Sequence, residues 1–296
     1  MTPLAANALS QFDIEEEPLE IHIFSKHLQF LEYQQAAQKA AEMGFDGLDI
    51  TVRPNGHVLP ENVKSELPEF INAIRNVGLK CDLITTNISD ASDPLDRNVI
   101  DVASAQGVKF YRSDWFKYRS DFSMEESLIY YQAKVRELGM LNQENNIVGC
   151  YQNHSGTSIG SSFWEINHLL KSVNTNFFGA QYDIRHAVVE GGKSWPNGVR
   201  LLGNRIKTIV LKDFKWEVVD GQWDIVNVPI GEGMVDFISY FRLLKSFGLR
   251  PPVSLHLEYP LGGAEKGKVD ISVNQKVVFD AMQRDLNKVK ELWKKA

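Results

Sequence analysis

The sequence predicts a (β/α)8 barrel, also called a TIM barrel, and three observations carry the prediction. Eight short β-rich runs alternate with eight helical runs along the 296 residues. The β-rich runs are continuously apolar rather than alternating, as strands buried on both faces of a parallel sheet are. No G-x-G-x-x-G turn follows the first run, which weighs against an open doubly wound sheet, the architectural alternative. A right-handed βα repeat of this count closes on itself, and one such barrel uses about 250 residues. The expected organisation is therefore an N-terminal tail, 1–19, and a single barrel domain, 20–296.

Each element follows from local chemistry. The first strand is 20–24, followed by a polar segment, 25–29. An alanine-rich helix, 33–43, closes on Gly44 as a C-cap. The second strand is 47–51, and Pro54-Asn55-Gly56 makes a turn. A helix over 61–77 stops at Gly78, and 79–85 is the third strand. Asp93 caps a helix over 93–106 with Pro94 in its first turn, and 108–112 is the fourth strand. Ser123 and Glu126 form a capping box for a long helix over 123–142. The fifth strand is 146–151, a helix covers 161–172, and the sixth strand is 178–182. A short helix, 196–202, precedes the seventh strand, 205–211. A hairpin insertion after strand seven spans 214–228, with Asp220-Gly221 at its turn. A helix over 237–247 ends at Gly248, the eighth strand is 252–257, and a final helix runs over 272–293.

Composition narrows the function classes. Hydrophobic residues make up 43% and charged residues 24%, enough for a large core. The net charge of −6 argues against nucleic acid as a partner, which calls for a basic stripe. No apolar run reaches membrane-spanning length, so no membrane partner is expected. Cys81 and Cys150 fall inside strands and read as small core residues. Cytoplasmic localisation is the default. Ala6-Asn7-Ala8 fits an A-x-A cleavage site, so an exported, periplasmic protein follows if Met1 lies downstream of a processed leader.

The candidate site centres on 178–190, FGAQYDIRHAVVE, where an apolar strand ends on Asp183 and His186 follows. Ligands of parallel α/β barrels bind at the carboxyl ends of the strands, so the residues there were read together. Strand five delivers Gln152, Asn153 and His154, and strand six Asp183, Arg185 and His186. Strand seven delivers Lys212 and Asp213. Strand eight delivers His256 and Glu258, which share parity. Strands two to four add Asp49, Arg53, Asn87, Arg112 and Trp115. Singly, each has a structural reading: a cap, a rim ion pair, a ring covering the barrel mouth, or Lys212 paired with Asp213 or Glu258. Gathered in one concavity, charges cost desolvation unless something binds there. Asn87, Arg112, Trp115, Asn153, Arg185 and His256 suit a sugar or polyol, with polar groups on hydroxyls and Trp115 on a C–H face. Arg53, Arg112 and Arg185 alternatively suit a carboxylate or phosphate.

On these residues the chain resembles the xylose isomerase-like TIM barrels, the sugar phosphate isomerases and epimerases. QNHSG at 152–156 is similar to the family's Glu-Asn-His-x-Gly, and Asp183-Ile184-Arg185-His186 to its Asp-x-x-His. Leu211-Lys212-Asp213 is similar to the end of His-Leu-Lys-Asp. Pro229-Ile230-Gly231-Glu232-Gly233 with Val235-Asp236-Phe237 resembles P-x-G-x-G-x-x-D-F. The resemblance implies a divalent metal, Mn²⁺ or Mg²⁺, held by a strand-five Glu, the strand-six Asp, a strand-seven His and the strand-eight Glu. Here Gln152 and Val210 stand at the first and third positions. The implied metal set shrinks to Gln152, Asp183 and Glu258, with charge and ligand count falling together.

Two functions follow. The first is a sugar or sugar phosphate isomerase, epimerase or lyase. In it Glu258 is the base, His154 or His186 the paired acid, and Lys212 stabilises the enolate oxygen. The second is a carbohydrate-binding barrel without turnover. An endonuclease on the same fold is disfavoured by the acidic balance and reduced ligand set. A homo-oligomer is expected only by analogy with other barrels.

Overall fold

The computed structural model describes residues 18–296. The tail, with Ala6-Asn7-Ala8 and the acidic run at 15–17, lies outside the described residues apart from its last two positions. The barrel strands are β1 (Ile21–Phe24), β2 (Gly47–Val52), β3 (Lys80–Thr86), β4 (Phe110–Arg112), β5 (Val148–Gln152), β6 (Phe178–Asp183), β7 (Ile206–Leu211) and β10 (Val253–Leu255). They close in the order β1-β10-β7-β6-β5-β4-β3-β2, every pair parallel. The expected barrel, single domain and hairpin are all present. The hairpin is β8 (Asp213–Val219) with β9 (Gln222–Val228), antiparallel, and its turn residues Asp220 and Gly221 both have positive φ, 49° and 81°. That is the turn whose twist matches paired strands.

Among the described residues, eight α-helices fill the connections around the barrel: α1 (Tyr33–Met43), α2 (Val63–Asn76), α3 (Pro94–Ala105), α4 (Met124–Asn145), α5 (Phe163–Leu169), α6 (Ile184–Gly191), α7 (Trp195–Leu202) and α8 (Phe237–Ser246). The chain closes with α9 (Gln275–Lys295). The Ser123–Glu126 capping box forms, and Gly44 takes the left-handed C-cap at φ 85°. Among the described residues no helix is long and apolar enough to cross a membrane.

Three departures from the expected elements matter for the site. First, β6 continues to Asp183, and α6 starts at once behind it. Asp183 Oδ1 accepts from the His186 amide at 3.1 Å, so the carboxylate is both strand end and helix cap. Second, the last strand is three residues long rather than six. The His256 amide still bonds Leu211 O at 3.0 Å, but the Leu257 amide turns to His27 Nε2 at 3.0 Å and leaves the ladder. Third, Asp213 is no partner of Lys212. Its carboxylate accepts the amides of Phe214, Gly231, Gly233 and Val235 at 2.9–3.2 Å and ties down the loop before α8. A Cβ at Gly233 would lie 2.2 Å from Asp213 Oδ1, so glycine is required there.

Candidate active site

The site grows from β6. Asp183 is fully buried and is held by its neighbours on β5. Asn153 clamps the Asp183 backbone twice, donating to its carbonyl at 2.9 Å and accepting from its amide at 2.7 Å. Gln152 Nε2 donates to Asp183 Oδ2 at 2.8 Å. Asn153 is therefore spent on positioning Asp183.

Lys212, at the end of β7 and 3% exposed, supplies the central charge. Its Nζ lies 2.9 Å from His186 Nε2, 3.1 Å from Asp183 Oδ2 and 3.5 Å from Glu258 Oε2. Both ring nitrogens of His186 face donor-only groups, Lys212 Nζ at Nε2 and Arg185 Nη1 at Nδ1, 3.1 Å away, with the Ser155 hydroxyl also 2.8 Å from Nδ1. Burial first, then the charge of Lys212, holds His186 well below the usual histidine range. His186 is thus a neutral support between two cations, and it does not line the pocket.

Glu258 lines the pocket, whereas Asp183 is fully buried and does not. The ion-pair partners of Glu258 among the described residues are Lys212 at 3.5 Å, Lys26 Nζ at 3.6 Å and His256 Nδ1 at 3.7 Å. Burial pushes Glu258 up, but Lys212, then His256 and Lys26, hold it well below the ordinary glutamate value. It is a carboxylate kept ionised without a short hydrogen bond occupying its lone pairs.

His154 lies beyond β5, three strand positions round the ring from β10. Its Nδ1 is 2.8 Å from Ser155 O, an acceptor, so Nδ1 carries the proton and Nε2 is bare. Burial, then Lys212, keeps it below the usual histidine value. The ring stands 4.6 Å from Trp115 and 4.0 Å from His186. His256 stacks on Phe24 at 4.0 Å, and its Nε2 reaches Ser254 Oγ at 3.0 Å; burial takes it down to about 3.

Gln152, His154, Lys212, His256, Glu258, Arg112 and Trp115 line one pocket with Phe24, Lys26, Arg53 and Thr85, whereas Asp183, His186 and Asn153 do not line it. Arg185 does not line it either: Nη2 donates to Asn227 Oδ1 at 2.7 Å and the guanidinium lies against Phe214, while Nη1 sits 3.1 Å from His186 Nδ1 behind the pocket lining. Asn87 follows β3 half-buried and outside the pocket lining. Lys26 was missed by sequence reasoning, although it follows Phe24 at the end of β1 just as the other site residues follow their strands. The helix α6 was also missed. Its signal was Asp183 as N-cap ahead of Ile184, Ala187 and Val188 at helical spacing.

Beneath the pocket, Asp49 of β2 accepts from Thr85 Oγ1 at 3.0 Å and Ser254 Oγ at 2.5 Å. Three strands can meet this way only if all three side chains point into the barrel. Burial outweighs these bonds and pushes Asp49 up to about 6 from 3.8. A carboxylate raised in the fold favours folding while protonated. That contribution is full below 3.8 and is lost as pH rises through about 6. Asp49→Asn is therefore expected to be more stable than wild type above pH 6, by up to about 3 kcal/mol. The gap should close below pH 4, as urea melts at several pH values would show.

The donor set does not fit a divalent cation while Lys212 is in place. Asp183, His186 and Glu258 converge on the ammonium, Gln152 turns an N–H toward Asp183, and Val210 offers no donor. Among the described residues no group of three or more His, Cys, Asp or Glu could hold a metal.

Residues 37–272 match the family profile described as xylose isomerase-like TIM barrel. A comparison with curated protein sequences finds no match. The fold superposes on a D-allulose 3-epimerase from Methylomonas sp. with TM-score 0.68 and 18% identity, covering 94% of this chain and 99% of that one. A xylose isomerase-like TIM barrel protein from Mycobacterium smegmatis, in complex with magnesium, gives TM-score 0.67 and 15% identity over 93% and 98%. The 3-keto-D-glucoside 4-epimerase from E. coli gives 0.63 and 13% over 91% and 99%. At these identities the likeness is one of fold.

Proposed function

The chain belongs to the xylose isomerase-like TIM-barrel family, and from that premise we propose that it is a carbohydrate isomerase or epimerase that removes a proton next to a carbonyl. The observation that carries the reading is Glu258, an ionised carboxylate on the pocket wall whose cationic partners stand 3.5–3.6 Å away, beside the buried ammonium of Lys212. Several structural neighbours are sugar 3- or 4-epimerases, which supports a sugar as the substrate class.

Glu258 takes the C–H proton, and the negative charge that develops on the carbonyl oxygen is held by Lys212. The two ammonium groups that keep Glu258 ionised also weaken it as a base. A substrate oxygen that draws Lys212 toward itself relieves part of that hold. The proton returns from Glu258 to the neighbouring carbon in an isomerisation. In an epimerisation the carbon takes a proton from solvent water on its other face and Glu258 releases the abstracted one to solvent; His154, with Nε2 bare, has no proton to give there. In this reading Lys212 fills the electrophile's place that a metal takes in the family.

The test is exchange of carbon-bound hydrogen for deuterium in D₂O, followed by NMR over a panel of ketoses, aldoses and their phosphates. Exchange at a carbon next to the carbonyl is the expected result. The second reading, a carbohydrate-binding barrel without turnover, draws on Gln152 and Val210. Sugar-dependent thermal stabilisation with no exchange across the panel would favour it instead.

A further inference from the structure

We propose that Arg53 and Arg112 form a carboxylate subsite in the pocket wall, so that the substrate is an acidic sugar. The inference rests on the isomerase reading for which bond reacts, but not for what binds. Arg112 is 4% exposed, and its one polar partner is Thr86 O, 2.9 Å from Nη2. Its guanidinium lies 4.2 Å from the Trp115 ring centre, which fixes its plane. Nε and Nη1 of Arg112 and Nε of Arg53 are buried and bond to nothing among the described residues. Neither guanidinium has an ion-pair partner there, and a buried cation without a counter-ion is costly.

The two arginines also burden each other. Burial, and then Arg53, push Arg112 down to about 10. Asp114 and Asp49 attract both, but neither forms an ion pair with them; Asp49 is bonded by Thr85 and Ser254, and Asp114 Oδ1 by the Trp115 amide. Four cations, Lys26, Arg53, Arg112 and Lys212, line the pocket against the single carboxylate of Glu258. Lys212 pairs with Asp183 and Glu258, and Lys26 with Glu258, which leaves the two arginines without an ion pair among the described residues. An anion placed there supplies the missing acceptors and charge. The free donors come from both side chains, Nε and Nη1 of Arg112 and Nε of Arg53, and the two oxygens of a planar carboxylate can accept from both guanidiniums at once.

The experiment is calorimetric titration of the full chain and of Glu258→Gln with D-galacturonate, D-gluconate, D-fructose and D-fructose 6-phosphate. At least one of the two carboxylates should bind tenfold or more tightly than fructose, in both proteins. Arg112→Gln and the less buried Arg53→Gln should each erase that preference, and Arg112→Lys should keep part of it. Equal affinity for neutral and acidic sugars would overturn the subsite. So would preference for the phosphate, or a preference that survives both glutamine variants. Carboxylate binding lost with the arginines but with no proton exchange in wild type would uphold the subsite and sink the isomerase reading.

Discussion

Glu258→Gln is expected to lower kcat by about 10²–10⁴-fold, the range general-base catalysis contributes. The amide has nearly the same shape, so substrate affinity should change little and the fold should hold. The pH profile of the wild type carries a second signature. Lys212, His256 and Lys26 hold Glu258 well below its ordinary value of 4.5. The base is lost only as pH falls through that depressed value, so the acid limb of kcat/KM should lie below pH 4.5. Steady-state kinetics on a substrate found by deuterium exchange would measure both. A loss smaller than tenfold, or an acid limb near neutrality, would remove Glu258 from the role of base.

Lys212→Met should damage both catalysis and folding. Lys212 and Asp183 side chains are 4% and 0% exposed, and Glu258 is 24% exposed. Removing the ammonium leaves Asp183 as a buried charge with only Gln152 and the His186 amide to compensate. Breaking a buried pair from one side costs about 3–5 kcal/mol. The melting temperature should fall accordingly, while Glu258→Gln, on the half-buried wall, should melt close to wild type. Turnover should fall too, because the cation between Asp183 and Glu258 is gone and Lys26, the other ammonium beside Glu258, is not held by Asp183. If Lys212 is the electrophile, prolonged treatment of wild type with EDTA leaves its rate unchanged, and the purified protein carries no stoichiometric metal. A rate abolished by EDTA and restored by Mn²⁺ or Mg²⁺ would show that the ammonium yields its place to a metal.

Much of this was legible along the chain, for a simple reason. In a parallel barrel each strand end delivers its residues to the same face, so position after a strand predicts nearness without any knowledge of rotamers. Asp183, Lys212, His256 and Glu258 were found that way and do meet. The same rule covered Lys26, which was overlooked because the segment after β1 is merely polar in sequence. The rule breaks where a side chain has competing partners. Arg185 and Asn153 sit at the right end of the barrel, yet one turns to Asn227 on the hairpin and the other to the backbone of Asp183.

The alternation of apolar runs and capped helices by itself determined the barrel, the hairpin and the end where chemistry gathers, because burial period and turn chemistry are local properties. Only the tertiary structure decided that Lys212 sits among Asp183, His186 and Glu258, that His186 is neutral, and that Arg53 and Arg112 have no ion pair among the described residues. Those facts depend on distances between side chains from strands far apart in sequence. They depend as well on how few protons and lone pairs each group has to share.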